Sequence, residues 1–179
     1  MPAEPTAPEQ IEVRPAAADE FAAVGDLTLA AYLADDLLAA DPEAAAYAEE
    51  LRDAGRRASH ADLLVAVRGG GELLGTVTFC LPGTEYAELA GPGEAEFRML
   101  AVAPGGRRRG VGRALVLACL DRARAAGARS VVISSLASMT AAHALYEQLG
   151  FRREPARDWR PLPAVELLAY VLDPLTPPS

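Results

Sequence analysis

Leu100-Ala101-Val102-Ala103-Pro104-Gly105-Gly106-Arg107-Arg108-Arg109-Gly110-Val111-Gly112-Arg113-Ala114-Leu115 runs from an apolar strand end, through a turn rich in glycine and arginine, into a helix start. A helix start carries backbone N–H groups without intrahelical partners and a partial positive charge, so it attracts a phosphate or pyrophosphate. Gly110 and Gly112 let a ligand approach the backbone, while Arg107, Arg108, Arg109 and Arg113 add charge. A bare turn explains the glycines but not four arginines beside a helix start in a chain of net charge −8. The dinucleotide fingerprint is disfavoured, because it needs Gly-x-Gly-x-x-Gly early in a parallel βαβ unit. A P-loop is excluded because the chain has no lysine.

Outward from this segment, 179 residues with 51% apolar and 23% charged side chains fit one soluble globular domain. No run approaches the ~18 apolar residues that span a bilayer, and the acidic balance argues against a nucleic-acid partner. Every basic side chain is Arg, and Asn is absent, a bias that suggests a GC-rich bacterial genome. Met1 to Gln10 has neither a basic region nor an apolar stretch, so no signal peptide is expected there and the protein reads as cytoplasmic. Cys80 and Cys119 are isolated in apolar segments and read as buried thiols, with no disulfide framework and no metal site.

Residues 1–10 and 173–179 are Pro-rich and read as mobile tails around a domain over 11–172. Within it, Ile11 to Arg14 alternates as a strand, and Ala17 to Leu38 has helical spacing. Asp41-Pro42 supplies a cap and first-turn proline for a helix to about Ala58. Leu63 to Val67 and Leu73 to Cys80 form a hairpin across Arg68-Gly69-Gly70-Gly71. A polar loop, Pro82 to Gly93, precedes a strand from Ala95 to Val102. Then come a helix from Gly110 to Ala126, a strand from Ser130 to Ser135, a helix from Thr140 to Leu149, and closing strands at Phe151 to Arg153 and Val165 to Leu172. The expected order is βααβββαβαββ.

Two motifs then become specific. Arg107-x-x-Gly110-x-Gly112, entered from Leu100-Ala101-Val102, resembles the Arg/Gln-x-x-Gly-x-Gly/Ala coenzyme-binding motif of the GNAT superfamily of N-acetyltransferases. Ala141-Ala142-His143-Ala144-Leu145-Tyr146-Glu147-Gln148-Leu149-Gly150-Phe151 resembles that family's Ala-x-x-Leu-Tyr-x-x-Leu-Gly-Phe ending. The resemblance implies an α/β fold with a single mixed, mostly antiparallel sheet of about seven strands and about four helices. It also implies acetyl-CoA as co-substrate and transfer of its acetyl group to an amine.

On this resemblance, backbone groups of Leu100, Ala101 and Val102 hold the pantetheine arm, and the pyrophosphate rests on amides from Arg108 through Arg109, Gly110, Val111 and Gly112 to Arg113, with Ala114 following. Transfer also requires proton removal from the ammonium and protonation of the thiolate. Tyr146 occupies the family's tyrosine position and is the candidate acid; a core tyrosine packing helix on sheet is the alternative. Glu96, on the strand before the coenzyme turn, is the candidate base, directly or through a water; alternatively it simply pairs with an arginine, and Glu94 lies on the same face two residues away. Ser134 and Ser135 end the next strand and can offer a carbonyl or hydroxyl. Many members carry Asn seven residues before the tyrosine where this chain has Met139, so that coenzyme contact is lost or supplied by Ser138 or Thr140, either able to cap the helix. His143 lies three residues before Tyr146 on nearly the same face and is a relay or a packed residue; His60 is assigned no role.

The family's acceptor cleft is built from the first two helices and the loop before the coenzyme strand. Here these segments carry Asp35, Asp36, Asp41, Glu43, Glu49, Glu50, Asp53, Glu85, Glu88, Glu94 and Glu96, which would favour a cationic amine. The acceptor is expected to be a small-molecule amine, with a peptide or protein amine as the nearest variant. A non-catalytic acyl-CoA sensor of the same fold and a nucleotide-binding module are the competing readings. A homodimer through Val165 to Leu172 and the sheet edges is compatible with the sequence.

Overall fold

The structure is a computed structural model that describes residues 10–34, 42–162 and 165–176. Runs of apolar and β-branched residues form eight strands: β1 (Glu12–Pro15), β2 (Asp62–Arg68), β3 (Glu72–Cys80), β4 (Glu94–Val102), β5 (Ser130–Leu136), β6 (Arg152–Arg153), β7 (Trp159–Leu162) and β8 (Val165–Leu172). They lie in the order β1-β2-β3-β4-β5-β8-β6, with β7 paired to β8. Among the described strands only β4 and β5 pair in parallel. This is the mixed, mostly antiparallel sheet expected, with one strand more than seven. The added strand, β7, holds Pro161 and shows no alternation; it pairs with β8 alone, an edge position where a proline's missing donor is tolerated.

Among the described residues there are five α-helices where about four are expected: α1 (Phe21–Ala34), α2 (Pro42–Arg52), α3 (Ala54–His60), α4 (Val111–Ala125) and α5 (Thr140–Gln148). The helix expected to run to about Ala58 breaks at Asp53, whose carboxylate accepts the Arg56 N–H at 2.9 Å and restarts the chain as a new helix. Asp41, expected to cap it, lies outside the described residues.

The central strands are buried on both faces, which is why they read as nearly continuous apolar runs. On β2, Leu64 and Ala66 join the cluster under α4 with Leu115, Val116 and Cys119, whereas Leu63, Val65 and Val67 face Val24 of α1 and Ala54 of α3. Helices α1 and α2 meet closely at Gly25, where a Cβ would lie 2.0 Å from the Arg52 carbonyl oxygen.

Residues 173–176, placed in a tail by their proline content, instead fold back. Leu175 is buried in the main core, its N–H donates to Arg129 O at 2.7 Å, and Arg124 Nε donates to the Thr176 carbonyl at 2.7 Å. No helix among the described residues is long and apolar enough to cross a membrane. Both cysteines are free and buried, and burial pushes the Cys80 thiol up to about 12.

Candidate active site

Strands β4 and β5 are registered only at Glu94↔Ser130, Ala95↔Val131 and Glu96↔Val132. Beyond these three rungs they part, so from Phe97 to Val102 β4 has no partner among the described strands on its β5 side. On the other side Thr78 pairs with Arg98 and Thr76 with Ala101, which sets Met99 and Leu100 against the single residue Val77. Met99 takes up the extra residue with φ 54°, a left-handed value rare for a non-glycine. The bulge reverses the alternation: Ala95 and Phe97 face the cluster under α4 before it, Leu100 and Val102 after it, and Met99 turns to the α1 side.

The free edge leads directly to the start of α4. Gly110 is its N-cap at φ 79°, a conformation that a side chain would strain, and no side chain caps the helix. The first bond back into the turn is Ala114 N–H to Gly110 O at 2.9 Å, so the Val111, Gly112 and Arg113 amides precede the helical ladder. Arg107, Arg108, Arg109 and Arg113 are exposed around this turn, Arg108 itself at φ 59°. A Cβ at Gly112 would meet Leu145 of α5 at 3.4 Å and Val102 of β4 at 3.8 Å. The two sequence motifs are therefore adjacent in space.

Helix α5 brings Tyr146 against the parting. Its ring packs at 6.0 Å from Phe97, 5.8 Å from Phe151 and 6.0 Å from Tyr170, and burial raises its phenol well above the usual range, so it holds its proton. His143 stacks on Tyr170 at 5.1 Å with Nε2 3.2 Å from Ser135 Oγ, and burial lowers its pKa. It is part of the packed face. Met139 is the N-cap of α5 and is half-buried; no side chain caps this helix, so neither Ser138 nor Thr140 does so. Ser134 is half-buried on β5, and Ser135 is buried.

Glu96 is fully buried. Its Oε2 accepts the backbone N–H groups of Glu88, Leu89 and Ala90 at 2.9, 2.8 and 3.1 Å, folding the loop before β4 over the carboxylate. Oε1 is buried without a partner. Burial raises the carboxyl pKa, although the three amides oppose the rise. Glu96 thus braces this loop, with one oxygen left for other chemistry. Glu94 is held by Arg157 through two 2.8 Å bonds, which lower its pKa.

Around α2, α3 and the loop before β4 several carboxylates are paired, so this face is less negative than the acidic sequence implies. Glu85 pairs with Arg56 and His60, Glu88 with Arg98 at 3.6 Å, and Glu50 with Arg56 at 3.8 Å. Asp35, Asp36 and Asp41, and the Glu43 side chain, lie outside what is described.

The residue that the sequence reading passed over is Arg57. Its guanidinium is fully buried between α1, α3, β3 and β4. Nη2 donates to Leu51 O at 2.8 Å and to Thr28 Oγ1 at 3.3 Å; Nη1 reaches Thr78 Oγ1 at 3.5 Å and Met99 Sδ at 3.8 Å; Nε has no partner. Among the described residues no carboxylate oxygen comes within 4.0 Å of it. Tyr32, Tyr47 and Tyr86 belong to the cluster that also holds Met99. The Tyr86 hydroxyl is buried without a partner, and burial, aided by Glu50, pushes it up to about 12. The available signal was phase: Arg57 follows buried Ala54 by three residues, on the inward stripe of a short helix.

A family model described as "Acetyltransferase (GNAT) family" matches residues 27–151. The fold superposes on a GCN5-related N-acetyltransferase from Kribbella flavida at TM-score 0.66 and 26% identity, covering 91% of this chain and 97% of that one. It also matches a GNAT-family acetyltransferase from Staphylococcus aureus Mu50 (TM-score 0.71, 12% identity, 92% and 99% covered). A third match is the PaiA N-acetyltransferase from Thermoplasma acidophilum in complex with coenzyme A (TM-score 0.67, 13% identity, 89% and 98% covered). No curated protein matches the chain in sequence.

Proposed function

The chain belongs to the GNAT acetyltransferase family, and on that footing we propose that it transfers an acetyl group from acetyl-CoA to a primary amine. The observation that carries the proposal is the unpaired β4 edge running straight into the bare start of α4. The edge offers backbone groups to the amides of the pantetheine arm, as one strand adds to another. The Val111, Gly112 and Arg113 amides, the helix dipole and the neighbouring arginines suit a pyrophosphate. The open space around Gly110, where a Cβ would meet nothing within 4 Å, suits its close approach. These residues fit the coenzyme.

In the reaction the amine nitrogen forms a bond to the acetyl carbon as the carbon–sulfur bond breaks, the electron pair leaving on sulfur. Tyr146, protonated well past neutrality, gives its proton to the thiolate and regains one from the nitrogen, which sheds its second proton as the amide forms. The ammonium proton passes to Glu96 Oε1, directly or through one water, once the loop over it admits the acceptor. One observation favours the second reading, an acyl-CoA-binding protein without turnover: Glu96 is closed off under its own loop.

The test is to melt the protein with and without acetyl-CoA and then follow CoA release over a panel of amines for wild type and Tyr146→Phe. Binding to the native state raises the melting temperature by mass action. A rise, with release that falls roughly 100-fold or more in the mutant, supports transfer. A rise without release on any amine supports the binding-only reading. No rise at saturating acetyl-CoA refutes both.

A further inference from the structure

A guanidinium carries five N–H donors and a permanent charge. Arg57 keeps both out of water with only one bond of ordinary length, to Leu51 O at 2.8 Å. The contacts to Thr28, Thr78 and Met99 are long, at 3.3, 3.5 and 3.8 Å, and Nε has none. A buried charge is costly unless an anion answers it, and an apolar residue of similar volume is often no less stable in such a place. The Leu51 carbonyl lies in the last turn of α2, so one donor caps that helix, but no anion among the described residues answers the charge.

Its position says what the cation is for. Met99, which Arg57 touches, is the bulge residue of β4, next to Leu100 at the free edge where the pantetheine arm is proposed to lie. Thr78 and Arg57 face the same side of the sheet as Glu96, since Thr78 pairs with Arg98 and Cys80 with Glu96 in consecutive inward positions. This side also presents Tyr86, whose hydroxyl is buried and unpartnered.

We propose that Arg57 is the anion-binding group of the acceptor site, so that the acceptor is a primary amine bearing a carboxylate. The proposal rests on the acetyl-transfer reading for its amine and on Arg57 itself for its carboxylate. The carboxylate takes the place of the Met99 thioether, a flexible side chain and a weak acceptor, and accepts from Nη1 in a charge-assisted hydrogen bond. Thr28 and Thr78 keep the guanidinium plane in position, and the Tyr86 hydroxyl can donate as a neutral neighbour. The same charge opposes an acceptor that carries only ammonium groups, which makes a simple polyamine a poor fit.

The experiment pairs common α-, β- and γ-amino acids with the amines that differ from them only by lacking the carboxylate. Binding of each is measured by calorimetric titration, with and without CoA, and kcat/KM is measured with acetyl-CoA, for wild type, Arg57→Lys and Arg57→Met. In wild type at least one amino acid is expected to bind roughly 10- to 100-fold more tightly than its matched amine. That ratio falls toward one in Arg57→Met and partway in Arg57→Lys, which keeps the charge but loses the planar guanidinium that places Nη1. Arg57→Met removes an unanswered charge but leaves Leu51 O without its donor, so its melting temperature serves as the folding control and the binding ratio carries the test.

A merely structural Arg57 would lower the melting temperature of both variants and leave the ratio untouched. That result, or wild type binding no amino acid better than its matched amine, overturns the proposal. If Arg57→Met fails to fold, the wild-type and Arg57→Lys ratios still decide. Carboxylate-selective binding without acetyl release would leave the anion site standing and remove the transferase reading, so the two fail separately.

Discussion

Substituting Glu96 separates bracing from proton transfer. In Glu96→Ala the amides of Glu88, Leu89 and Ala90 lose their shared acceptor. At about 1 kcal/mol for each net hydrogen bond the loss approaches ~3 kcal/mol, an upper value because water reaches this loop. In Glu96→Gln the side-chain oxygen can still accept the three amides, and the new NH2 occupies the place of Oε1, which already lacks a partner. Burial already disfavours the charge, so its removal relieves a penalty, and the stability change should stay within about 1 kcal/mol.

The pH dependence has a definite sign. A carboxyl whose folded pKa is raised contributes stability below the ordinary carboxylate range and loses it as pH rises through the folded value. Glutamine has no such loss, so the gap between wild type and Glu96→Gln should shift in favour of Gln from pH 4.5 to pH 8. Urea midpoints at those two pH values, alongside kcat on an accepted amine, read both effects. The base role predicts that Gln lowers kcat by about 100-fold or more at nearly unchanged stability. Equal destabilisation by Gln and Ala would refute the bracing argument, and full kcat in Glu96→Gln would refute the base.

Three further outcomes follow from the packing and charge. Gly25→Ala puts a Cβ 2.0 Å from a backbone oxygen that cannot swing away, so α1 and α2 must separate; a loss of at least ~3 kcal/mol is expected in urea unfolding, against about zero if the helices slide freely. Glu20 is held at about 2 by Arg14 and by the Ala17 N–H, so its contribution is present above the ordinary carboxylate range and lost as pH falls toward 2. Glu20→Gln should flatten that part of the stability curve. Cys80 and Cys119, buried and with raised pKa values, should resist a thiol reagent in the native protein at pH 8 and react on unfolding; rapid native labelling would contradict their burial.

Much of the fold was legible because its signals are local. Strand, arginine-rich turn and helix start are contiguous at 100–115, and Leu145-Tyr146 reports its helix through spacing alone. What was missed depends on competition or distance. Asp53 breaks a helix that composition would continue, because one carboxylate captures a backbone N–H. Strand β7 exists only because β8 is beside it. Leu175 looks like part of a proline-rich tail until Arg129 accepts its N–H. The bulge at Met99 reverses which residues of β4 face which side, a change that alternation cannot report. Glu96 could be named from the sequence, but its engagement by three amides could not. Arg57 was hidden by its type, since arginine in a short helix reads as surface until its burial is known.

The three rungs joining β4 to β5 have a mechanical meaning. One half of the sheet, β1 to β4, and the other, β5 to β8, are stitched together at one end of a seam and open at the other, with Phe97, Tyr146 and Phe151 wedged beside it. A molecule lying along the open end with its own amide groups would act as a removable stave between two half-sheets. Such a stave would shield the unpaired stretch of β4, and amide exchange on Phe97 to Val102 would record its arrival and departure.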